Sequence, residues 1–247
     1  MSEYKPSRLA VLAVEDDPVI ARFLVDVLVG CGHEVHLATN GTRAHELARA
    51  RQFDLLLVDL QLPDTDGASL LIALRSDPDV MSRNTPAIAM SGELSSDRRN
   101  ELVAIGFREA WQKPVPIATL EALAMSQVDV ERVALTPPVP SHAMDLDDDD
   151  ALARLGNAAT MRALRGLLAG ELPRQWRAIC VALDSGDATA AASVIHRARA
   201  GCTLCGANAA AAALAAIEAC LRNGHDTTSA RAHADSVILR TLASLVT

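Results

Sequence analysis

Aromatic side chains are scarce: only 2% of the 247 residues are Phe, Trp or Tyr, which, with Ala and Leu dominating the second half, favours helices packed through small side chains there. No apolar run reaches the roughly 18 to 20 residues needed to cross a bilayer, because charged residues interrupt every stretch, including the alanine-rich one near 209–217. Membrane insertion is therefore not expected. Residues 1–8 are polar and lead straight into an apolar strand, without the basic region, apolar segment and cleavage site of an export signal. A soluble, cytoplasmic protein is the expectation. No basic cluster stands out against a formal charge of −8, which argues against a surface that tracks phosphate backbones and against nucleic acid as partner. The five cysteines (Cys31, Cys180, Cys202, Cys205 and Cys220) are an odd number scattered through apolar segments, so reduced thiols are expected and no disulfide framework.

A chain of this length suits two domains, each large enough to bury a core unaided. Residues 1–127 alternate short β-branched apolar runs with amphipathic stretches, the pattern of a parallel sheet covered by helices on both faces. Strands are predicted at Leu9–Val14, Glu34–Ala38, Leu55–Asp59, Ala87–Met90 and Glu109–Trp111, with helices near 18–30, 41–50, 67–76, 96–105 and 116–126. The fold class is α/β, a (βα)5 doubly wound parallel sheet. Residues 128–144 contain Leu-Thr-Pro-Pro-Val-Pro-Ser and read as a linker. The acidic run Asp145–Asp150 then enters helix-forming sequence, where some aspartates cap a first helix and most of the four consecutive ones are expected to be solvated charge. From 145 to 247 apolar residues recur at helical spacing, with breaks at Gly156, Ser185-Gly186-Asp187 and Asn223-Gly224-His225. That predicts an all-α unit, an antiparallel bundle of four or five helices.

Ligands of open parallel sheets bind outside the carboxyl ends of the strands, and those ends are chemically loaded. The first strand is followed by Glu15-Asp16-Asp17-Pro18, the third ends in Asp59, the fourth runs into Ser91, and the fifth is followed by Lys113-Pro114. Crowded carboxylates repel one another unless a hard cation sits among them, and an oxygen donor set suits Mg²⁺. With Mg²⁺ and Lys113 neutralising charge, Asp59 can attack a phosphorus in line while Ser91 donates to a phosphoryl oxygen. Asp17 fits better as a helix N-cap, with Pro18 at the first helical position.

The segments AVLAVEDDP, DLLLVDLQLPDTDG, AIAMSG and WQKPV resemble the response-regulator receiver family over residues 8–127. The resemblance implies a flavodoxin-like fold, Glu15 and Asp16 as the acidic pair, Asp59 as phosphoacceptor, Ser91 as the hydroxyl and Lys113 as the lysine of the site. It also implies Gln61 as the residue whose backbone carbonyl completes the metal shell, and a cis Lys113–Pro114 bond. The family's aromatic residue three positions before the lysine is replaced by Ala110, so its aromatic switch does not transfer; this favours relay over allosteric output. Asp64-Thr65-Asp66-Gly67 is similar to the nucleophile motif of haloacid dehalogenase-type phosphatases, but Leu62-Pro63 separates it from its strand and turn chemistry fits it better.

The second half resembles the histidine phosphotransfer family through Leu183-Asp184-Ser185-Gly186-Asp187, Val194-Ile195-His196-Arg197-Ala198-Arg199-Ala200-Gly201 and Leu204-Cys205-Gly206-Ala207. This implies His196 as the phosphorylated residue. Arg199 stands one turn on, where the family has lysine, and can offset phosphoryl charge from the same helix face. Ala200 replaces the family's glycine. Cys202 and Cys205 form a CxxC that reads as a mid-helix pair and not as a metal or redox site.

These readings converge on a phosphorelay protein. A sensor histidine kinase would supply phosphate to Asp59, and His196 would exchange it with a receiver, its own or a downstream one. No ATP-binding kinase domain is visible. The alternatives are a docking switch, in which phosphorylation of Asp59 controls access to the helical domain or a partner, and a Mg²⁺-dependent phosphatase.

Overall fold

The computed structural model describes residues 8–125 and 145–246, which form two compact units. The expected linker, 128–144, lies outside the described residues. In the first unit, strands β1 (Ala10–Val14), β2 (Glu34–Ala38), β3 (Leu55–Asp59), β4 (Ala87–Ser91) and β5 (Glu109–Gln112) alternate with helices α1 (Pro18–Gly30), α2 (Gly41–Ala50), α3 (Gly67–Ser76), α4 (Ser96–Ile105) and α5 (Ile117–Met125). Every pairing is parallel and the strand order is β2-β1-β3-β4-β5. The chain reverses its direction of travel across the sheet between β1 and β3, which opens a crevice at their carboxyl ends.

The strand sequences match their places. Central β3, Leu-Leu-Leu-Val-Asp, is buried along its whole length, whereas edge strand β2, Glu-Val-His-Leu-Ala, is mostly half-exposed. Leu12, Val14, Leu56, Val58, Ala87 and Ala89 pack with Ala44, Ala48, Leu71, Leu74 and Leu102 of α2, α3 and α4 in one core. Their sheet neighbours Val11, Ala13, Leu57 and Met90 are equally buried outside that cluster, and α1 packs on β1 and on α5. Helix starts are capped as composition predicts: Asp17 Oδ1 accepts from Val19 N (2.9 Å) and Ile20 N (3.0 Å) ahead of α1, with Pro18 in its first turn.

The second unit is helical: α6 (Asp148–Leu155), α7 (Ala158–Asp184), α8 (Ala188–Leu204), α9 (Asn208–Arg222) and α10 (Thr228–Leu245). Helix α7 packs on α8, α8 on α9, α9 on α10 and α10 on α7, while α6 lies against α7 and α8. Leu164, Leu168, Leu172, Ile179, Ile195, Leu214, Ile217 and Ile238 fill the interior, with Ala191, Ala198, Ala210 and Ala213 as the small residues between them.

Two expectations are corrected here. Cys202 and Cys205 are buried, but α8 ends at Leu204, so Cys205 caps the helix instead of lying in its middle. Gly206, at φ +76°, makes the turn, and a Cβ there would lie 2.2 Å from the Asp147 carbonyl oxygen. The four consecutive aspartates are also more engaged than a solvated run. Asp147 caps α6 by accepting from Asp150 N (3.0 Å), Asp148 pairs with Arg165 (2.6 Å), and Asp150 pairs with Arg154 (2.9 Å) and accepts from Asn208 (2.8 Å).

Candidate functional site

Four strands of the first unit deliver side chains to one rim. Glu15 follows β1 and is held by its own N–H, which donates to the Ala38 carbonyl of β2 at 2.9 Å. Asp59 is the last residue of β3, Ser91 the last of β4, and Lys113 follows β5, with Lys113 N donating to the Ser91 carbonyl at 2.7 Å. The Lys113–Pro114 bond is cis, as the sequence resemblance implied.

Lys113 Nζ lies 2.5 Å from Glu15 Oε2 and 2.7 Å from Asp59 Oδ2, and all three groups are buried. Burial works against the charge on Lys113, but Glu15 and Asp59 more than offset it and hold its pKa above the usual lysine value. Burial pushes Glu15 up to about 8 against the pull of Lys113, with Asp59 adding to the rise. One ammonium does not neutralise this rim. Ligand oxygens of Glu15, Asp16 and Asp59 lie within 4.8 Å of one another, a purely oxygen donor set of the kind that holds a hard divalent cation.

The remaining expected residues frame this centre. Gln61 N donates to Asp59 Oδ1 at 3.1 Å, and Gln61 bridges to Asp66 across the β3–α3 loop. The Ser91 hydroxyl donates to the Glu93 carbonyl at 2.8 Å, so in this state it serves its own loop. Ala110 is fully buried, and its carbonyl accepts a hydrogen bond from Arg99 of α4.

The rival phosphatase motif is used structurally. Asp64 accepts hydrogen bonds at the start of α2, while Asp66 accepts from Ala68 N (3.0 Å) and Ser69 N (3.1 Å) to cap α3. Gly67 escaped the sequence reading as a site residue. A Cβ on it would lie 2.3 Å from the Asp59 carbonyl oxygen, and its N–H donates to the Leu60 carbonyl at 2.9 Å. A glycine directly after a helix-capping aspartate, eight positions beyond a strand-end aspartate, was the available signal for this close approach.

In the second unit, His196 lies on α8 and is 8% exposed, with Nε2 enclosed. Arg199 sits one turn further along α8 and its guanidinium pairs with Glu218 of α9. The two residues share an element, but Arg199 is engaged by a carboxylate instead of standing clear for a phosphoryl group.

Residues 11–125 match the family of the response regulator receiver domain. The sensor histidine kinase AruS of Pseudomonas aeruginosa is 31% identical over 212 residues, covering 86% of this chain and 21% of the kinase. The sensor histidine kinase GacS of Pseudomonas protegens is 24% identical over 205 residues, covering 79% of this chain and 22% of the kinase. The chain thus spans about a fifth of the length of these relatives. Among solved structures, the receiver domain of a sensor histidine kinase from Pseudomonas aeruginosa, with magnesium coordinated in its active-site cleft, is 27% identical. It covers 48% of this chain and 96% of that one, with a TM-score of 0.43. No helix among the described residues is long and apolar enough to cross a membrane. The acidic rim closed by a lysine, on a sheet of order β2-β1-β3-β4-β5, agrees with the sequence match: residues 11–125 are a response regulator receiver domain of two-component signalling.

Proposed function

We propose that the chain is a cytoplasmic phosphorelay protein in which a receiver domain (1–127) takes a phosphoryl group on Asp59 and a histidine phosphotransfer domain (145–247) exchanges phosphate through His196. The second domain is read as an antiparallel bundle. The observation that carries the receiver half is Lys113 seated between Glu15 and Asp59, with Asp16 completing an oxygen cluster. Glu15, Asp16, Asp59 and the Gln61 carbonyl would hold Mg²⁺, which supplies charge neutralisation for the incoming phosphoryl group.

A carboxylate oxygen of Asp59 attacks phosphorus as the bond to the donor breaks. The donor atom, an imidazole nitrogen of a sensor kinase or the acyl oxygen of a small phosphodonor, leaves with the electron pair, and the product is an aspartyl phosphate. Lys113, already on Asp59 Oδ2, follows the negative charge onto the phosphoryl oxygens. The Ser91 hydroxyl turns from the Glu93 carbonyl to donate to one of them. In the relay step an imidazole nitrogen of His196 exchanges the phosphoryl group with the aspartate carboxylate of a receiver, its own or a downstream one, the attacking atom bonding phosphorus as the other leaves.

Support for the second half comes from the histidine phosphotransfer resemblance and from the length of the kinase similarity. The 212 residues matched in AruS are more than all those preceding the helical unit could supply, so the likeness runs into that unit. The enclosed Nε2 of His196 favours a second reading, a docking switch in which phosphorylation of Asp59 regulates access to the helical domain.

Labelling separates the readings. Acetyl phosphate with Mg²⁺ should label the receiver in a base-labile linkage that Asp59→Asn abolishes. A phosphorylated receiver should then give the helical domain a base-stable label that His196→Gln removes. Cognate partners that label Asp59 but never place base-stable phosphate on His196 leave only the docking switch.

A further inference from the structure

We infer that Asp64, which the phosphorylation chemistry itself does not use, is a positioning residue: it ties the β3–α3 loop to the start of α2 and so sets where the Gln61 carbonyl stands in the cation site. The inference rests on the receiver reading above and deepens it.

The loop from Leu60 to Asp66 leaves the phosphoacceptor directly and carries Gln61 as its second residue. It is pinned at three places. At its base, Gly67 N holds the Leu60 carbonyl at 2.9 Å, and at its end Asp66 caps α3. At its tip, Asp64 Oδ1 accepts from Gly41 N at 2.8 Å, and Oδ2 accepts from Thr42 N at 2.9 Å and Thr42 Oγ1 at 2.7 Å. The first N–H groups of a helix have no partner within it, and its positive end favours a carboxylate. Asn40 caps only the third position of α2, accepting from Arg43 N at 2.7 Å. Asp64, from a different loop, takes the first two.

Packing enforces the same register. A Cβ on Gly41 would lie 2.3 Å from Thr65 Cγ2 and 3.3 Å from Asp64 Oδ1, so α2 and the side chains of the loop tip are in close contact at this glycine. The hydrogen bonds to Asp64 outweigh its burial and hold its carboxyl below the usual aspartate range. Helix α2 packs on β1 and β2, so the tip is referred to the rigid sheet. Gln61 is therefore held from both sides, by its N–H on Asp59 Oδ1 and by the anchored tip.

Direct calorimetric titration of the full chain with Mg²⁺, alongside thermal midpoints, tests this. Loss of charge-assisted hydrogen bonds at the tip should raise the Mg²⁺ dissociation constant about five- to tenfold in Asp64→Ala, with smaller rises in Asp64→Asn and Thr42→Val. Labelling at saturating Mg²⁺ should stay close to the wild-type rate. If Asp64→Ala does not fold, the two milder variants read the same shift. A lowered thermal midpoint with an unchanged dissociation constant in all folded variants overturns the inference and leaves the receiver reading standing. A wild-type chain that binds no Mg²⁺ and takes no label overturns both.

Discussion

The two units place the side chains proposed to react by opposite means. In the receiver, parallel strands end on the same rim, so Glu15, Asp59, Ser91 and Lys113 converge from four strands although nearly 100 positions separate the first from the last. The charges are buried and answer one another. In the helical unit His196 belongs to one helix, its access is decided by lateral packing, and Arg199 is drawn off by Glu218. A sheet edge assembles a site through topology. A helix face carries its site locally and depends on what lies over it.

The largest contrast should appear on removing the cation of each site. Lys113→Ala deletes the one ammonium between two buried carboxylates and should slow Asp59 labelling by acetyl phosphate roughly 10²-fold, the scale of losing a preorganised donor to transition-state charge. Arg199→Ala should slow base-stable labelling of His196 by less than about tenfold, since its guanidinium is already shared with a carboxylate. Equal losses at the two positions would erase the distinction.

Glycine substitutions sharpen it. Gly67→Ala and Gly206→Ala each force a methyl against a carbonyl oxygen, and each should cost about 1–3 kcal/mol in urea unfolding. Only Gly67→Ala should also slow phosphorylation, because only there does the obstructed carbonyl belong to Asp59, the proposed phosphoacceptor. Parallel unfolding midpoints and labelling rates at 25 °C check both statements.

The smallest effect concerns the edge of the sheet, away from either site. Hydrogen bonds from His36 and Arg51 hold Glu34 at about 2, below the 4.5 of a free glutamate. A depressed carboxyl stabilises the fold fully above 4.5, and that contribution is lost as pH falls toward 2. Glu34→Gln should therefore flatten acid unfolding of the receiver slightly in that window and leave the helical unit unchanged. An acid titration followed by circular dichroism, run on wild type and variant, reads the difference.

The order of elements, the parallel sheet and the chemically loaded strand ends were determined by the sequence alone. An apolar run such as Leu-Leu-Leu-Val-Asp, short and set between amphipathic stretches, fits a strand buried on both faces, and the carboxyl ends of such parallel strands border the ligand crevice. The cap Asp17 and the helix breaks at Gly156 and Gly186 were legible because each is a local backbone requirement. Tertiary packing decided the rest. Helix α7 runs through Pro173, a residue that ends most helices, because Leu164, Leu168, Leu172 and Ile179 are buried on either side of it. The tight seats of Gly41 and Gly67, the pairing of Asp148 with Arg165 and of Asp150 with Asn208, the pairing of Arg199 with Glu218 and the enclosure of His196 each depend on a partner in another element. Periodicity reports which face of a helix turns inward. Which group from another element meets that face is settled only when the elements pack.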